Sequence, residues 1–106
     1  MSLLVDAAEK HKSGDLKRAV GLYQAFLREN AEHAEALNLY GLCMHELGNF
    51  QKADTLFSGA IKCDPEKSEF YQNRGAARID MGKTAEALAD FEMGLSHDPN
   101  NFRCLL

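Results

Sequence analysis

The sequence repeats itself at an interval of 34 residues. Gly14, Gly48 and Gly82 are separated by this interval. The same spacing relates the members of four further sets: Ala19, Ala53 and Ala87; Tyr23, Phe57 and Phe91; Phe26, Ala60 and Gly94; Ala31, Pro65 and Pro99. A repeat of this length is one supersecondary unit that cannot bury its apolar face alone, so neighbouring units must stack. This excludes an ordinary single-core globule and most enzyme folds, and it indicates a binding surface.

Within each unit, apolar residues recur at spacings of three and four, the period of a helix that is buried on one face. Both halves of unit 34–67 show it: Leu37, Tyr40, Gly41 and Met44, then Phe50, Ala53, Phe57, Ala60 and Ile61. Gly48 ends the first helix because glycine readily adopts the left-handed conformation. Asp64 ends the second, because a residue before proline avoids the helical region. The pattern predicts six helices and no strand, at about 2–13, 17–29, 34–47, 50–63, 68–81 and 84–97.

Two glycines, Gly41 and Gly75, lie in the middle of predicted helices. Glycine at such a position costs about 1 kcal/mol relative to alanine. Its presence there indicates that another helix approaches closely. Phe57 and Phe91, on the second helix of each pair, are expected to fill the remaining gap.

Length and charge limit the class of protein. At 106 residues the chain forms one domain, and its 26% of charged residues of both signs argue against disorder. The net charge is −4 and there is no basic stripe, so we expect neither nucleic acid nor a membrane surface as partner. The apolar run at residues 3–5 is too short for a signal peptide or a membrane span. Three cysteines without a C-x-x-C pair are typical of reduced thiols in an intracellular, cytoplasmic protein.

The repeated positions resemble the tetratricopeptide repeat, which has this period and a fixed order of small, aromatic and proline positions. The second unit matches at Leu37, Gly41, Gly48, Phe50, Ala53, Phe57, Ala60 and Pro65, and the third at Tyr71, Gly75, Gly82, Ala87, Phe91 and Pro99. The resemblance implies an all-α fold, a right-handed α-solenoid of three antiparallel helix-turn-helix repeats in a single domain over 1–106. The implied repeats are 1–33, 34–67 and 68–101, and 102–106 starts a cap or linker.

In this family the first helix of each repeat lines a concave groove that holds a peptide or a partner's helix. The corresponding positions here mix apolar residues with polar side chains that suit such a ligand. They are Leu4, Ala8, His11 and Lys12; Asn38, Leu42, His45 and Glu46; and Gln72, Asn73, Ala76, Ile79 and Asp80. The resemblance therefore implies a protein or peptide partner. The residues expected to carry most of the binding are Leu42, His45, Gln72, Asn73 and Ile79.

One subfamily holds the C-terminal carboxylate of heat-shock chaperones with lysine, asparagine and arginine side chains, since a carboxylate needs cationic and amide donors. The corresponding positions are occupied here by Leu4, Ala8, Leu39, Glu69 and Asn73. None of them matches, and when the register is moved by one unit only Asn73 fits. We therefore do not predict that this chain binds a chaperone tail.

Arg74 has two interpretations. It is either a ligand contact or a structural residue, which pairs with Asp90 on the other helix of its repeat or lays its aliphatic stem along the apolar surface, and the structural role is favoured. The same two interpretations remain open for Arg78.

No metal, cofactor or catalytic site is predicted. His11 and His45 occupy equivalent positions in adjacent repeats, and Cys43 lies two residues before His45. Residues at i and i+2 of a helix point to different faces, so Cys43 and His45 do not easily share a metal ion. Cys43 is expected to pack between helices. The sequence contains no recognisable Ser-His-Asp set or phosphate loop.

These observations predict a non-enzymatic protein-interaction module that acts as an adaptor or scaffold. The alternative is a targeting or regulatory segment of a larger enzyme, with catalysis elsewhere.

The C-terminal edge carries three large apolar residues, Phe102, Leu105 and Leu106, after a helix that has no successor in the sequence. An exposed apolar patch of this kind marks an interaction site. We expect these residues either to fold back on helix 84–97 or to pack against a second copy in a weak homodimer.

Overall fold

A computed structural model describes residues 2–105, which form six α-helices and one short 3-10 helix. No strand occurs in this part of the chain. Every helix lies within one residue of its predicted bounds, so the predicted all-α architecture is confirmed. The helices are α1 (Leu3–Lys12), α2 (Leu16–Glu29), α3 (Ala34–Glu46), α4 (Phe50–Cys63), α5 (Ser68–Asp80) and α6 (Thr84–His97), and the 3-10 helix is Phe102–Cys104.

A turn with a glycine joins the two helices of each pair. Gly14, Gly48 and Gly82 have φ angles of +90°, +85° and +77°. These values lie in the left-handed region, where residues with a Cβ atom are strained. The glycines that recur every 34 residues therefore turn α1 into α2, α3 into α4 and α5 into α6.

The interior of each later pair is built around a glycine facing a phenylalanine. A Cβ atom added to Gly41 would lie 2.6 Å from Cε1 of Phe57, and one added to Gly75 would lie 2.5 Å from Cε1 of Phe91. Atoms at these distances would overlap, so the rings require the absence of a side chain on the first helix. The expected close approach of the helices is confirmed.

The C-terminal segment packs differently from the expectation. Cys104 is buried and covers Gly94 of α6, where an added Cβ would lie 2.6 Å from its sulfur. Phe102 and Leu105 are 72% and 62% exposed. The prediction that these two residues fold back on α6 is wrong, because residues three apart in a 3-10 turn share one side and Cys104 occupies the other. Leu106 lies outside the described residues.

No helix within residues 2–105 is both long enough and apolar enough to cross a bilayer.

Candidate functional site

Two pairs of polar side chains link the first helices of neighbouring repeats. His11 Nε2 lies 2.8 Å from Glu46 Oε2, which joins α1 to α3. His45 Nε2 lies 2.6 Å from Asp80 Oδ2, which joins α3 to α5. In both pairs the residues are 35 positions apart, one repeat plus one residue. The three first helices therefore lie side by side, with the faces that carry His11, His45 and Asp80 turned the same way.

The predicted binding residues fall on this shared face. On each first helix they precede His11, His45 or the equivalent Ile79 by three or seven residues, which keeps them on one side of the helix. We call this face the groove, with Leu4, Ala8 and His11 from α1, Leu42 and His45 from α3, and Gln72, Ala76 and Ile79 from α5. Seven of these residues are half-buried, and Ile79 is exposed. Helical spacing therefore places these eight residues on the same side of the three first helices.

Two hollows mark the ends of the groove. The first, of about 340 Å³, lies between α1 and α3 and is lined by Ala8, His11, Lys12, Tyr23, Leu39 and Glu46. The second, of about 360 Å³, lies at α5 and is lined by Gln72, Ala76, Ile79, Asp80, Phe91 and Arg103. Both combine apolar walls with charged rims, which is typical of surfaces that hold a peptide with apolar anchors.

Asn38 and Asn73 do not present their amides on the surface. Asn73 Nδ2 donates a hydrogen bond of 2.9 Å to Asn38 Oδ1, and both side chains are buried. The expectation that these two residues are open to a ligand is therefore corrected: they join α3 to α5 beneath the groove. Their separation of 35 residues, the same as that of the histidine pairs, is the sequence signal for this role. Asn38 Nδ2 has no hydrogen-bond partner among the described residues.

Two acidic residues lie on the groove face beyond those predicted to line it: Glu35 was not considered from the sequence, and Glu69 was considered only as a mismatch to a carboxylate-binding position. Glu35 lies three residues before Asn38 on α3, and Glu69 lies three residues before Gln72 on α5. Both are exposed. The three-residue spacing within each helix is the sequence signal that could have placed them beside the predicted groove residues.

Arg74 belongs to a network of charges between α4, α5 and α6. Its Nη2 lies 2.7 Å from Asp90 Oδ1, its Nε donates to both Asp90 oxygens, and its Nη1 donates to Ser58 Oγ. Arg78 pairs with Asp54 and, at 3.0 Å, with Asp90. The favoured structural role of Arg74 is confirmed, in the form of the ion pair with Asp90. Both arginines are directed to buried carboxylates, and the ligand-contact interpretation receives no support.

The electrostatics of the interior do not favour metal or nucleophile chemistry. Burial raises the pKa of the Cys43 thiol to about 11, with a further contribution from the Glu46 carboxylate. Burial likewise raises the pKa of the Tyr23 hydroxyl to about 12. Both groups stay protonated at neutral pH, whereas a metal ligand or a nucleophile requires the thiolate. Within residues 2–105 no group of three or more metal-ligating side chains comes together.

Stacked helix pairs with one continuous, partly apolar face define an α-solenoid interaction domain. Comparison with known families agrees with this class. A tetratricopeptide repeat family model matches residues 9–68, and a second one matches residues 56–89. The chain belongs to the tetratricopeptide repeat family.

Curated relatives resemble the chain over part of their length. Tetratricopeptide repeat protein 36 of Mus musculus is 35% identical over 71 residues, which are 67% of this chain and 38% of the relative. Protein FlbA of Caulobacter vibrioides is 31% identical over 77 residues, 73% of this chain and 13% of the relative. The chain thus spans well under half the length of these relatives.

Solved structures share the fold closely. The second tetratricopeptide repeat domain of human RPAP3 has been solved in complex with an HSP70 peptide. It is 25% identical to this chain with a TM-score of 0.94, and the match covers 98% of this chain and 87% of that chain. The first tetratricopeptide repeat domain of Spaghetti (RPAP3) has been solved with an HSP90 peptide bound. It is 24% identical with a TM-score of 0.93, and the match covers 96% of this chain and 81% of that chain. An O-GlcNAc transferase of Thermobaculum terrenum is 28% identical with a TM-score of 0.89, over 96% of this chain but 20% of that chain.

Proposed function

We propose that this chain is a protein-interaction module whose groove holds a peptide or a helix of a partner protein. The observation that carries the proposal is the linkage of the three first helices by His11–Glu46 and His45–Asp80, which presents one uninterrupted face to a ligand. Similar domains of RPAP3 have been solved with peptides bound. The proposal is an adaptor or scaffold role without catalysis, and an intracellular, cytoplasmic location stays a prediction.

The ligand we propose is not the chaperone tail. Leu4, Ala8, Leu39 and Glu69 occupy positions where carboxylate-binding repeats of this family carry cationic or amide donors. A carboxylate placed there would meet apolar side chains and the negative charge of Glu69. Asn73 is the one residue that fits the carboxylate-binding pattern, and it fits only when the pattern is moved by one repeat. Its side chain is buried and already donates a hydrogen bond to Asn38.

The groove proposal is tested by Leu42→Glu combined with Ile79→Glu. We expect the double variant to lose the partner proteins that the unchanged chain captures, because both substitutions place charge on the apolar floor of the groove. Captured proteins are identified by mass spectrometry. The control is Gln51→Glu with Thr55→Glu, which adds the same charge on the exposed side of α4. Partners retained by the groove variant and lost by the control would place the binding surface on α4.

A second candidate function is a targeting or regulatory segment of a larger enzyme. The observation that favours it is the match to the O-GlcNAc transferase, of which this chain covers 20%. In that case the groove serves the same purpose, since it would bring a substrate protein or regulator to catalysis located elsewhere.

We also propose weak self-association through the C-terminal edge. Phe102 and Leu105 are exposed to solvent. Leaving a large apolar side chain exposed instead of burying it is unfavourable by roughly 1.5–3 kcal/mol. A second copy that packs the same patch against them forms a twofold contact. We expect light scattering over a concentration series to show dimers that disappear in the variant Phe102→Asp, Leu105→Asp. A strict monomer at high concentration would contradict this proposal.

A further inference from the structure

The middle of the groove carries four carboxylates and no lysine or arginine. Glu35 and Glu46 lie on the groove side of α3, and Glu69 and Asp80 occupy the equivalent places on α5. All four residues are exposed. Leu42 and Ile79 lie between these carboxylates along the two helices, so the surface is an apolar floor with acidic margins.

The positive charges of the chain lie elsewhere. Helix α3 contains no lysine or arginine. The two arginines of α5, Arg74 and Arg78, pair with Asp90 and Asp54 between α4, α5 and α6. Lys12 and Arg103 line the two hollows and therefore lie at opposite ends of the groove. Between them, the ionisable side chains that α3 and α5 present on the groove side are the four carboxylates and His45.

The histidine pairs leave these carboxylates able to accept more hydrogen bonds. Glu46 contacts His11 through Oε2, and Asp80 contacts His45 through Oδ2. The carboxylate side chains of Glu46 and Asp80 are 55% and 47% exposed in these pairs. A carboxylate has about four lone-pair sites, so a second donor from a ligand can bind each group.

We propose that the occupant of the groove is a cationic peptide segment, with lysine or arginine side chains on the four carboxylates and apolar side chains on Leu42 and Ile79. This inference rests on the proposed function, because it names the chemistry of the ligand that the groove holds. Charge complementarity of this kind selects partners and speeds their association. A peptide that ends in acidic residues, as do the HSP90 and HSP70 peptides of the RPAP3 domains, is repelled by the same carboxylates.

The experiment selects binders from a displayed library of random 15-residue peptides on the whole chain. We expect the enriched peptides to carry a net positive charge and two or more large apolar residues, and to lose binding to a groove variant of unchanged charge, Leu42→Ser, Ile79→Ser, which removes the apolar floor. Enriched peptides that are neutral or acidic but need the groove would overturn the cationic inference and leave the proposed function standing. Enrichment that is unaffected by the groove variant, or no enrichment, would overturn both.

A charge variant then separates the groove from general attraction to an acidic protein. The variant Glu35→Gln, Glu69→Gln should weaken a selected peptide roughly three- to tenfold at low salt, and the loss should shrink as salt is added. The matched control Glu29→Gln, Glu92→Gln removes the same charge from exposed positions on α2 and α6. Equal losses in both variants would mean that net charge, and not the groove, attracts the peptide.

Discussion

Replacement of Asp90 by alanine is expected to lower the free energy of unfolding by about 3–5 kcal/mol. The Asp90 side chain is only 4% exposed and accepts hydrogen bonds from both Arg74 and Arg78. Burial lowers the pKa of the Arg74 guanidinium, while the hydrogen bond and charge of Asp90 raise it and outweigh burial. Arg74 therefore keeps its charge, and without Asp90 that charge is left largely buried and unpaired.

The measurement is urea unfolding followed by circular dichroism, where we expect the midpoint to fall by more than about 1 M. The control is Glu86→Ala, since Glu86 also faces Arg78 but at 3.9 Å and with its side chain 56% exposed. An exposed pair of this kind contributes about 0–1 kcal/mol. If Asp90→Ala costs no more than Glu86→Ala, the network does not stabilise the packing of α4, α5 and α6.

Local signals made the helices predictable. Glycine at each left-handed turn and the residues before each proline mark where a helix ends, whatever surrounds it. The 34-residue interval then fixes which helices are equivalent. The Arg74–Asp90 pair was also accessible from sequence, because the order of the two helices within a repeat places these two positions opposite each other.

The contacts between repeats were less accessible, because they depend on the angle at which neighbouring first helices stack. That angle aligns Asn38 with Asn73 and buries both, while it leaves Gln72 at the surface. No single helix pattern distinguishes these outcomes. The burial of Cys104 likewise depends on the space beside Gly94. That space exists because Gly94 has no side chain, whereas the equivalent position of the preceding repeat is Ala60.

Replacement of Gly41 by leucine is expected to lower the free energy of unfolding by about 1–3 kcal/mol through overpacking. The first atom of the new side chain would overlap the Phe57 ring, and that ring is fully buried, so it has no free space to enter. Leucine is the better helix former by somewhat less than about 1 kcal/mol, and this gain is outweighed by the clash. A loss of this size in a domain of 106 residues lowers the melting temperature by roughly 5–20 °C.

The same substitution at Gly21 separates the clash from helix propensity. Gly21 is exposed in the middle of α2, and a Cβ atom built there meets no heavy atom within 4 Å. Gly21→Leu therefore keeps only the gain in helix propensity and should raise the free energy of unfolding by about 0.5–1 kcal/mol. Opposite signs for the two variants, measured by thermal denaturation, would show that Gly41 is required by the approach of Phe57. If Gly41→Leu melts with or above the unchanged chain, α3 and α4 do not pack through this contact.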